Sequence, residues 1–329
     1  MPKPVSNFLR SAIGASLARM PRVRLSKSRG LSVFVFHSVT PKPGLFEQSF
    51  DMSVTPDLFR RQLLWILRHY TPVRPTDLDG NIPLPHDACL ITFDDGWAGT
   101  FEFALPILER ESAPALLFLN IEPMEGALLW AAIAFWLETH EAGFTEWISR
   151  HNGDAASRPA LKLTPRLLAQ WELERRPVDK AAVSGYQGRF ADWRNVLEWD
   201  GHPLVFYGNH LYNHWNAVNL THEELESAFI KNQRKLDKLR SGTRDFAFTF
   251  GAYLKHQPEF LLKNGASRIY TSSNRVNSYP PLPKVLGRIH ITSWDDRSSR
   301  LHWETTRSHI DRFIKEGFYG KYTSPRTRD

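Results

Sequence analysis

The sequence predicts an α/β fold, a distorted (β/α) barrel of seven strands with a helical insertion. Short apolar runs alternate with helical patterns along most of the chain, which is typical of a parallel sheet. Two of these runs end abruptly in polar residues, and parallel barrels gather their functional side chains at the carboxyl ends of the strands. A chain of 329 residues is long enough to form one such domain.

Each predicted strand is a short apolar or β-branched run bounded by turn-forming residues. The seven strands are placed at residues 31–36, 88–93, 115–120, 204–207, 245–250, 268–271 and 285–291. Two helices have clear starts. Thr55 is a candidate cap with Pro56 in the first turn. Thr221 and Glu224 fit a capping box for a helix that continues to about Arg240.

The first polar strand end is Leu-Ile-Thr-Phe-Asp-Asp-Gly at residues 90–96. Neighbouring side chains of a strand point to opposite faces, so Asp94 and Asp95 can share one site only where the strand ends and turns. Gly96 permits that turn. The pair could bind a cation or move a proton, or an aspartate could simply cap a helix at an exposed turn.

The second polar strand end, at residues 203–214, carries His210 and His214. Histidines four residues apart can present both imidazoles to one metal ion. Leu211 occupies the position where a zincin protease needs glutamate, which excludes that class. One carboxylate and two imidazoles form an open site for a divalent ion, and the other aspartate is then free to act as a base.

These motifs resemble those of the polysaccharide deacetylases of carbohydrate esterase family four. Thr-Phe-Asp-Asp-Gly at 92–96 is unaltered, and His210 to His214 is similar to the family's His-Ser/Thr-x-x-His, with Leu211 in place of the hydroxyl residue. Residues 35–39, 247–251 and 286–289 resemble the opening strand, the third motif and a late Leu-Pro-Arg-Ile segment. The similarity runs in family order from about residue 31 to 295.

The resemblance implies a metal-dependent hydrolase that removes N-acetyl groups from an amino sugar in a polysaccharide, oligosaccharide or lipid-linked glycan. Asp95, His210 and His214 would hold a divalent metal ion, with zinc expected, and Asp94 would be the general base. The backbone N–H of Phe250 would stabilise the oxyanion. Relatives use a histidine late in the chain as the general acid, and His290 is the candidate for it. His37 is the alternative, because its strand also ends near the site.

The chain departs from the family in its third motif, where Thr249 and Phe248 stand in place of a proline and an arginine. That arginine orients the base in relatives, and Arg288 is a candidate to replace it. Two other functions stay open: a catalytically silent carbohydrate-binding relative, and a scaffold for glycan assembly at a membrane surface.

The segment between the third and fourth strands, about residues 122–201, is predicted to be the helical insertion. Its tryptophans either form its own core or stack on sugar rings, and core is expected for most of them. They are Trp130, Trp136, Trp147, Trp171, Trp193 and Trp199. Cys89, in the strand before the acidic pair, is expected to be a buried and inert thiol.

Residues 1–30 form a basic amphipathic segment, residues 31–310 the catalytic barrel and residues 311–329 a carboxyl-terminal tail. The first segment either packs on the barrel or lies on an anionic membrane surface, and its interrupted apolar stretch does not predict a cleavable signal. A cytoplasmic location, with peripheral membrane contact as an option, is therefore expected. The net charge of +7 comes from scattered residues without a nucleic-acid-binding motif, so no nucleic acid is expected as a partner. The sequence does not indicate an oligomeric state.

Overall fold

The computed structural model describes residues 30–80, 83–152 and 159–305. Within these residues it contains twelve strands, of which ten form one sheet and two, β2 and β3, pair separately. The strands are β1 (Gly30–Phe36), β2 (Ser38–Val39), β3 (Ser53–Val54), β4 (Thr71–Pro72), β5 (Asp87–Phe93), β6 (Ala115–Leu119), β7 (Val205–Asn209), β8 (Gly242–Ala247), β9 (Arg268–Thr271), β10 (Asn277–Ser278), β11 (Val285–Gly287) and β12 (Ile289–His290).

Helices fill most of the connections between these strands. The α-helices of the described residues are Leu45–Ser49, Pro56–His69, Leu105–Arg110, Ile121–Met124, Trp130–His140, Phe144–Asn152, Pro165–Glu174, Lys180–Gln187, Trp193–Trp199, His222–Leu236 and Gln257–Lys263. A last helix occupies residues 298–305. Thr55 and Thr221 cap their helices as predicted, and the second of these helices ends at Leu236, before the predicted Arg240.

The sheet closes on itself at Arg288. The strands β1, β5, β6, β7, β8, β9 and β11 are neighbours in that order and pair in parallel. Strand β12 follows β11 after this one residue and pairs in parallel with β1, with Val35 opposite His290. The predicted (β/α) barrel is confirmed, although its sheet has more strands than the seven predicted.

The differences in strand count have local causes. Strands β2, β3, β4, β10 and β12 span only two residues each, too few to show an alternating pattern. The predicted run 285–291 is divided at Arg288 into β11 and β12. The run 245–250 ends as a strand at Ala247, because Phe250 has φ of 54° within the turn Thr249–Gly251.

The barrel interior is filled by alternate side chains of its strands. Leu90, Phe118, Ala247 and Tyr270, from four different strands, belong to one buried cluster, and Leu286 of β11 joins them. Cys89 and Ile91, on the opposite face of β5, instead pack with the surrounding helices. The thiol of Cys89 is fully buried, and this burial raises its pKa, in agreement with the expected inert cysteine.

The predicted amino-terminal segment 1–30 and tail 311–329 lie outside the described residues, apart from Gly30 in β1. Their expected roles, membrane contact included, therefore stay predictions. Among the residues that are described, no helix combines the length and the apolar character needed to cross a bilayer.

A buried ion pair lies at the amino-terminal end of β9. Arg268 donates two hydrogen bonds to Asp245 of β8, at 2.7 and 3.0 Å, and one to Asp79, at 2.6 Å. The side chain of Asp245 is fully buried and that of Arg268 is 7% exposed. Because the two charges neutralise each other away from water, losing one partner would leave the other uncompensated.

We expect Arg268→Met to lower the free energy of unfolding by about 3–5 kcal/mol, because the Asp245 carboxylate would stay buried without a partner. Urea unfolding at pH 7 measures this. Arg244→Met is the matched control, since Arg244 and Asp237 form an exposed pair at 2.9 Å that should contribute at most about 1 kcal/mol. Equal losses in the two variants would contradict the prediction.

Candidate metal centre

Asp94 and Asp95 follow β5 directly and reach the same site because the backbone turns between them. Asp94 continues the inward-facing register of Leu90 and Thr92. Asp95 would point outward in a regular strand, but its φ of 77°, followed by 90° at Gly96, turns its side chain back. The condition set by the sequence, a strand that ends and turns at the acidic pair, is therefore met.

The carboxylate of Asp95 lies against both histidines that follow β7. Its Oδ1 atom is 3.4 Å from Nε2 of His210 and 3.0 Å from Nε2 of His214. One potential ligand atom from each of the three residues lies within 4.8 Å of the others, and all three side chains are buried. His210 and His214, which follow Asp95 by 115 and 119 positions in the sequence, thus meet it at one point.

The hydrogen bond made by His210 indicates which of its nitrogens faces the site. Its Nδ1 lies 2.8 Å from the carbonyl oxygen of Ala247, which can only accept, so Nδ1 carries the proton. In the neutral form of this ring, Nε2 presents a lone pair toward Oδ1 of Asp95, which is also an acceptor. Two acceptors facing each other at 3.4 Å are complementary to a cation, so these residues fit a metal ion.

The charge states of the group agree with this fit. Burial lowers the pKa of His214 despite the neighbouring Asp95 carboxylate, which keeps the imidazole neutral and able to coordinate. Burial alone would raise the pKa of Asp95, but His214 and His210 lower it well below its ordinary value. Asp95 is therefore ionised. A carboxylate and two neutral imidazoles are a common ligand set for divalent ions.

Asp94 does not belong to this trio but is held beside it by Arg288. The guanidinium donates to both carboxylate oxygens, at 2.6 and 2.8 Å, and both residues are buried. Burial would raise the pKa of Asp94, but the charge of Arg288 lowers it below its ordinary value. Its Oδ2 atom lies 3.9 Å from Nε2 of His210, so an ionised carboxylate lies next to the candidate ligands.

The remaining candidates from the sequence lie around the same group. The rings of His37 and His290 stack with centroids 6.3 Å apart, because β1 and β12 pair side by side. Both rings are half-buried. The charge of His37 lowers the pKa of both aspartates, after the larger effects of burial and of closer partners. The ring of Phe250 lies 5.1 Å from that of His214.

Three residues make hydrogen bonds at the site that could not be predicted from the motifs. Trp97 donates its indole N–H to Oδ2 of Asp95 at 2.9 Å. Trp130 donates its own to the carbonyl of His214, and Asn120 donates to the carbonyls of His210 and Leu211. The proximity of Trp97 to Asp95 in the sequence was the only signal available for any of them.

Two of the residues that differ from the family motifs, Thr249 and Leu211, make buried contacts in this structure. Thr249, at the proline position, is buried and donates its hydroxyl to the carbonyl of Trp215 at 2.7 Å. Leu211, at the hydroxyl position, packs its side chain into an apolar cluster with Phe229 and Phe248. Both residues therefore support the loops that carry the site.

Comparison with solved structures identifies the fold. IcaB from Ammonifex degensii aligns over 84% of this chain and 98% of its own, with 19% identity and a TM-score of 0.55. The deacetylase PplD from Streptococcus pyogenes, solved with acetate, aligns over 84% and 97%, with 16% identity and a TM-score of 0.56. BC0361, a polysaccharide deacetylase from Bacillus cereus, aligns over 84% and 69%, with 14% identity and a TM-score of 0.56.

The chain thus has the fold seen in polysaccharide deacetylases. No family model matches the sequence. No curated protein sequence matches it either.

A loop at residues 291–296 follows β12 and His290 and carries a second unusual carboxyl group. Asp295 is 6% exposed and accepts the N–H of Thr292 at 3.0 Å. Gln62 donates to the carbonyls of both residues, at 2.9 and 3.2 Å. Burial raises the pKa of Asp295 to about 7, an effect that the hydrogen bond from Thr292 only partly offsets.

We expect Asp295 to make stability depend on pH. Its pKa is higher in the folded state than in the unfolded state, where it is about 4. Its contribution is therefore complete below about pH 4 and is lost as pH rises through about 7. Asp295→Asn should remove this dependence. From pH 4 to pH 8 the unfolding free energy of the parent should fall relative to the variant, by at most about 4 kcal/mol.

Urea unfolding across this pH range measures the difference. The exposed neighbour provides the control, because Asp296→Asn should leave the pH dependence unchanged. Parallel curves for the parent and Asp295→Asn would contradict the prediction.

Proposed function

We propose that the protein is a metal-dependent hydrolase that removes N-acetyl groups from an amino sugar of a glycan. The observation that carries this proposal is the meeting of Asp95, His210 and His214 beside an ionised Asp94, at the carboxyl ends of strands in a deacetylase-like barrel. The proposal covers polysaccharides, oligosaccharides and lipid-linked glycans, because the chemistry of the site concerns only the acetamido group.

The metal would be held by Asp95, His210 and His214, and zinc is the ion that we propose. When bound there, a divalent ion supplies Lewis-acid chemistry, which lowers the pKa of water and polarises the acetamido carbonyl. Among the described residues, Oδ1 of Asp95 accepts no hydrogen bond, so this oxygen is not already taken up by a donor.

In the proposed reaction, Asp94 removes a proton from the attacking water while that water oxygen bonds to the acetamido carbon. The N–H of Phe250 donates to the carbonyl oxygen as it gains negative charge. His290, or its stacked neighbour His37, gives a proton to the sugar nitrogen as the carbon–nitrogen bond breaks. The products are acetate and a free amino sugar. Asp94 then releases its proton and the histidine takes one up, which restores both groups.

Acetate release from N-acetylated hexosamine oligosaccharides, with and without a chelator, tests the activity. We expect activity to be lost with the chelator and restored by zinc. Asp94→Asn should retain zinc but lose at least about 100-fold in kcat, since it removes a general base. Asp95→Asn should lose zinc binding as well, which equilibrium dialysis measures. Full activity of metal-free protein, or of Asp94→Asn, would refute the mechanism.

We expect Arg288→Gln to move the acidic limb of the kcat/KM profile to higher pH. Without the guanidinium, burial is no longer offset and the pKa of Asp94 rises, so the base is protonated over more of the acidic range. An opposite charge at this distance lowers an aspartate pKa by about 1–3 units, so the limb should shift by a similar amount.

The control is Arg268→Gln, which breaks the equivalent buried pair with Asp245 at the other end of the barrel. This variant should lose stability while the acidic limb stays in place. If the acidic limb does not move in Arg288→Gln, then Asp94 is not the group whose protonation causes that limb.

A further inference from the structure

Two tryptophans donate hydrogen bonds to the trio of candidate metal ligands, Asp95, His210 and His214. Trp97 is fully buried and Trp130 is 2% exposed, and each places its single N–H on a residue of the trio. An indole N–H can only donate, so each bond fixes the direction of the acceptor that it meets. Buried donors of this kind orient ligands in metal sites.

The bond from Trp97 selects which oxygen of Asp95 faces the histidines. Since Oδ2 accepts the indole N–H at 2.9 Å, Oδ1 is left toward His210 and His214. Among the described residues, Oδ1 itself accepts no hydrogen bond. Rotation of the carboxylate would break the bond to Trp97, so this indole keeps Oδ1 available for coordination.

Trp97 is itself fixed by the chain that connects β6 to β7. Its ring stacks on Phe190, with centroids 4.2 Å apart. The loop around Trp97 and the segment around Phe190 are also joined by two backbone hydrogen bonds of 2.9 Å. The N–H of Ala98 donates to the carbonyl of Arg189, and the N–H of Ala191 donates to the carbonyl of Gly96. The loop that carries Asp95 is therefore paired with residues 189–191 of this connection.

Trp130 belongs to the same connection and donates its indole N–H to the backbone carbonyl of His214, not to the imidazole ring. His214 has φ of 58°, a left-handed conformation that side-chain-bearing residues adopt at an energetic cost. Within the described residues its Nδ1 has no hydrogen-bond partner, unlike that of His210. The direction of the His214 ring thus depends on its backbone, which Trp130 fixes through the carbonyl.

The Trp130 ring also packs on both loops that surround His214. It stacks on Trp215 with centroids 4.9 Å apart and an interplanar angle of 13°. It meets Phe250, which has φ of 54°, at 5.5 Å. One buried side chain therefore stabilises two left-handed backbone positions next to the site.

We propose that Trp97 and Trp130 are positioning residues for the metal, and that the connection between β6 and β7 is part of the metal-binding machinery. This inference rests on the proposed function insofar as the trio must bind an ion. It assigns to the connection a role in ligand geometry that is separate from any contact with the glycan.

The test measures zinc affinity of the full chain by competition with a chromophoric chelator, for Trp97→Phe and Trp130→Phe. Phenylalanine keeps an aromatic ring but lacks the N–H. We expect each variant to bind zinc about 10- to 100-fold more weakly, the usual effect of losing an outer partner of a metal ligand. The visible absorption spectrum of the cobalt-substituted protein should change in both variants, because it reports ligand geometry.

Trp147→Phe is the matched control. Trp147 is also 2% exposed and also donates its N–H to a side chain, at 2.6 Å, but its acceptor is Glu174 and not Asp95, His210 or His214. We expect this variant to lose thermal stability while its zinc affinity stays within about twofold of the parent and the cobalt spectrum stays unchanged, since no ligand depends on it.

Each outcome has one meaning. Unchanged zinc affinity and cobalt spectrum in Trp97→Phe and Trp130→Phe would overturn the inference, even if both unfold at lower temperature. An equal loss of affinity in Trp147→Phe would also overturn it, because the effect would then be general destabilisation. If one variant fails to fold, the other decides. Absence of zinc binding by the parent would instead refute the proposed function.

Discussion

The pairing of Arg288 with Asp94 is the interaction on which the arrangement of the site depends. Arg288 is the single residue between β11 and β12, at the point where the sheet closes on β1. Its guanidinium spans the barrel to the end of β5 and fixes both oxygens of Asp94. The same residue therefore lies where the barrel closes and also fixes the position of the candidate base.

A charged pair in such a position is not the most stabilising choice. Burying two ions costs several kcal/mol of desolvation each, and apolar residues of similar size often stabilise a core at least as well. Among the described residues of the barrel, two buried pairs join an arginine to an aspartate, Arg288 with Asp94 and Arg268 with Asp245. The first pair lies beside Asp95 and His214, whose pKa values are both lowered and whose ligand atoms converge with that of His210, which fits the tendency of functional sites to hold such groups.

Much of the site could be predicted from the sequence because its chemistry lies at strand ends. Asp94, Asp95, His210 and His214 each follow an apolar run, and a parallel barrel brings those ends to one rim. The sequence indicates Arg288 only as a candidate to orient Asp94. No sequence signal shows that the predicted strand is interrupted at Arg288 or that its side chain points toward Asp94. Trp97 could have been noticed two residues after Asp95. Trp130 and Phe190 could not, since their roles depend on how a long connection packs on three loops.

The short strands could not be predicted from the sequence for a related reason. A two-residue strand such as β12 owes its existence to the neighbour that it pairs with, and its own residues carry no periodic pattern. The turn at Thr249–Gly251 is similar: it replaces the end of a predicted strand because of tertiary contacts, among them the bond from Thr249 to Trp215.

The burial of Cys89 has a practical consequence for future work on this chain. The sequence contains one cysteine, and its thiol lies against the inner surface of the helical layer with no access to solvent. Maleimide and other sulfhydryl reagents should therefore leave the native protein untouched. A cysteine introduced at an exposed position would then be the sole point of attachment for a fluorophore or spin label, without prior removal of the natural one.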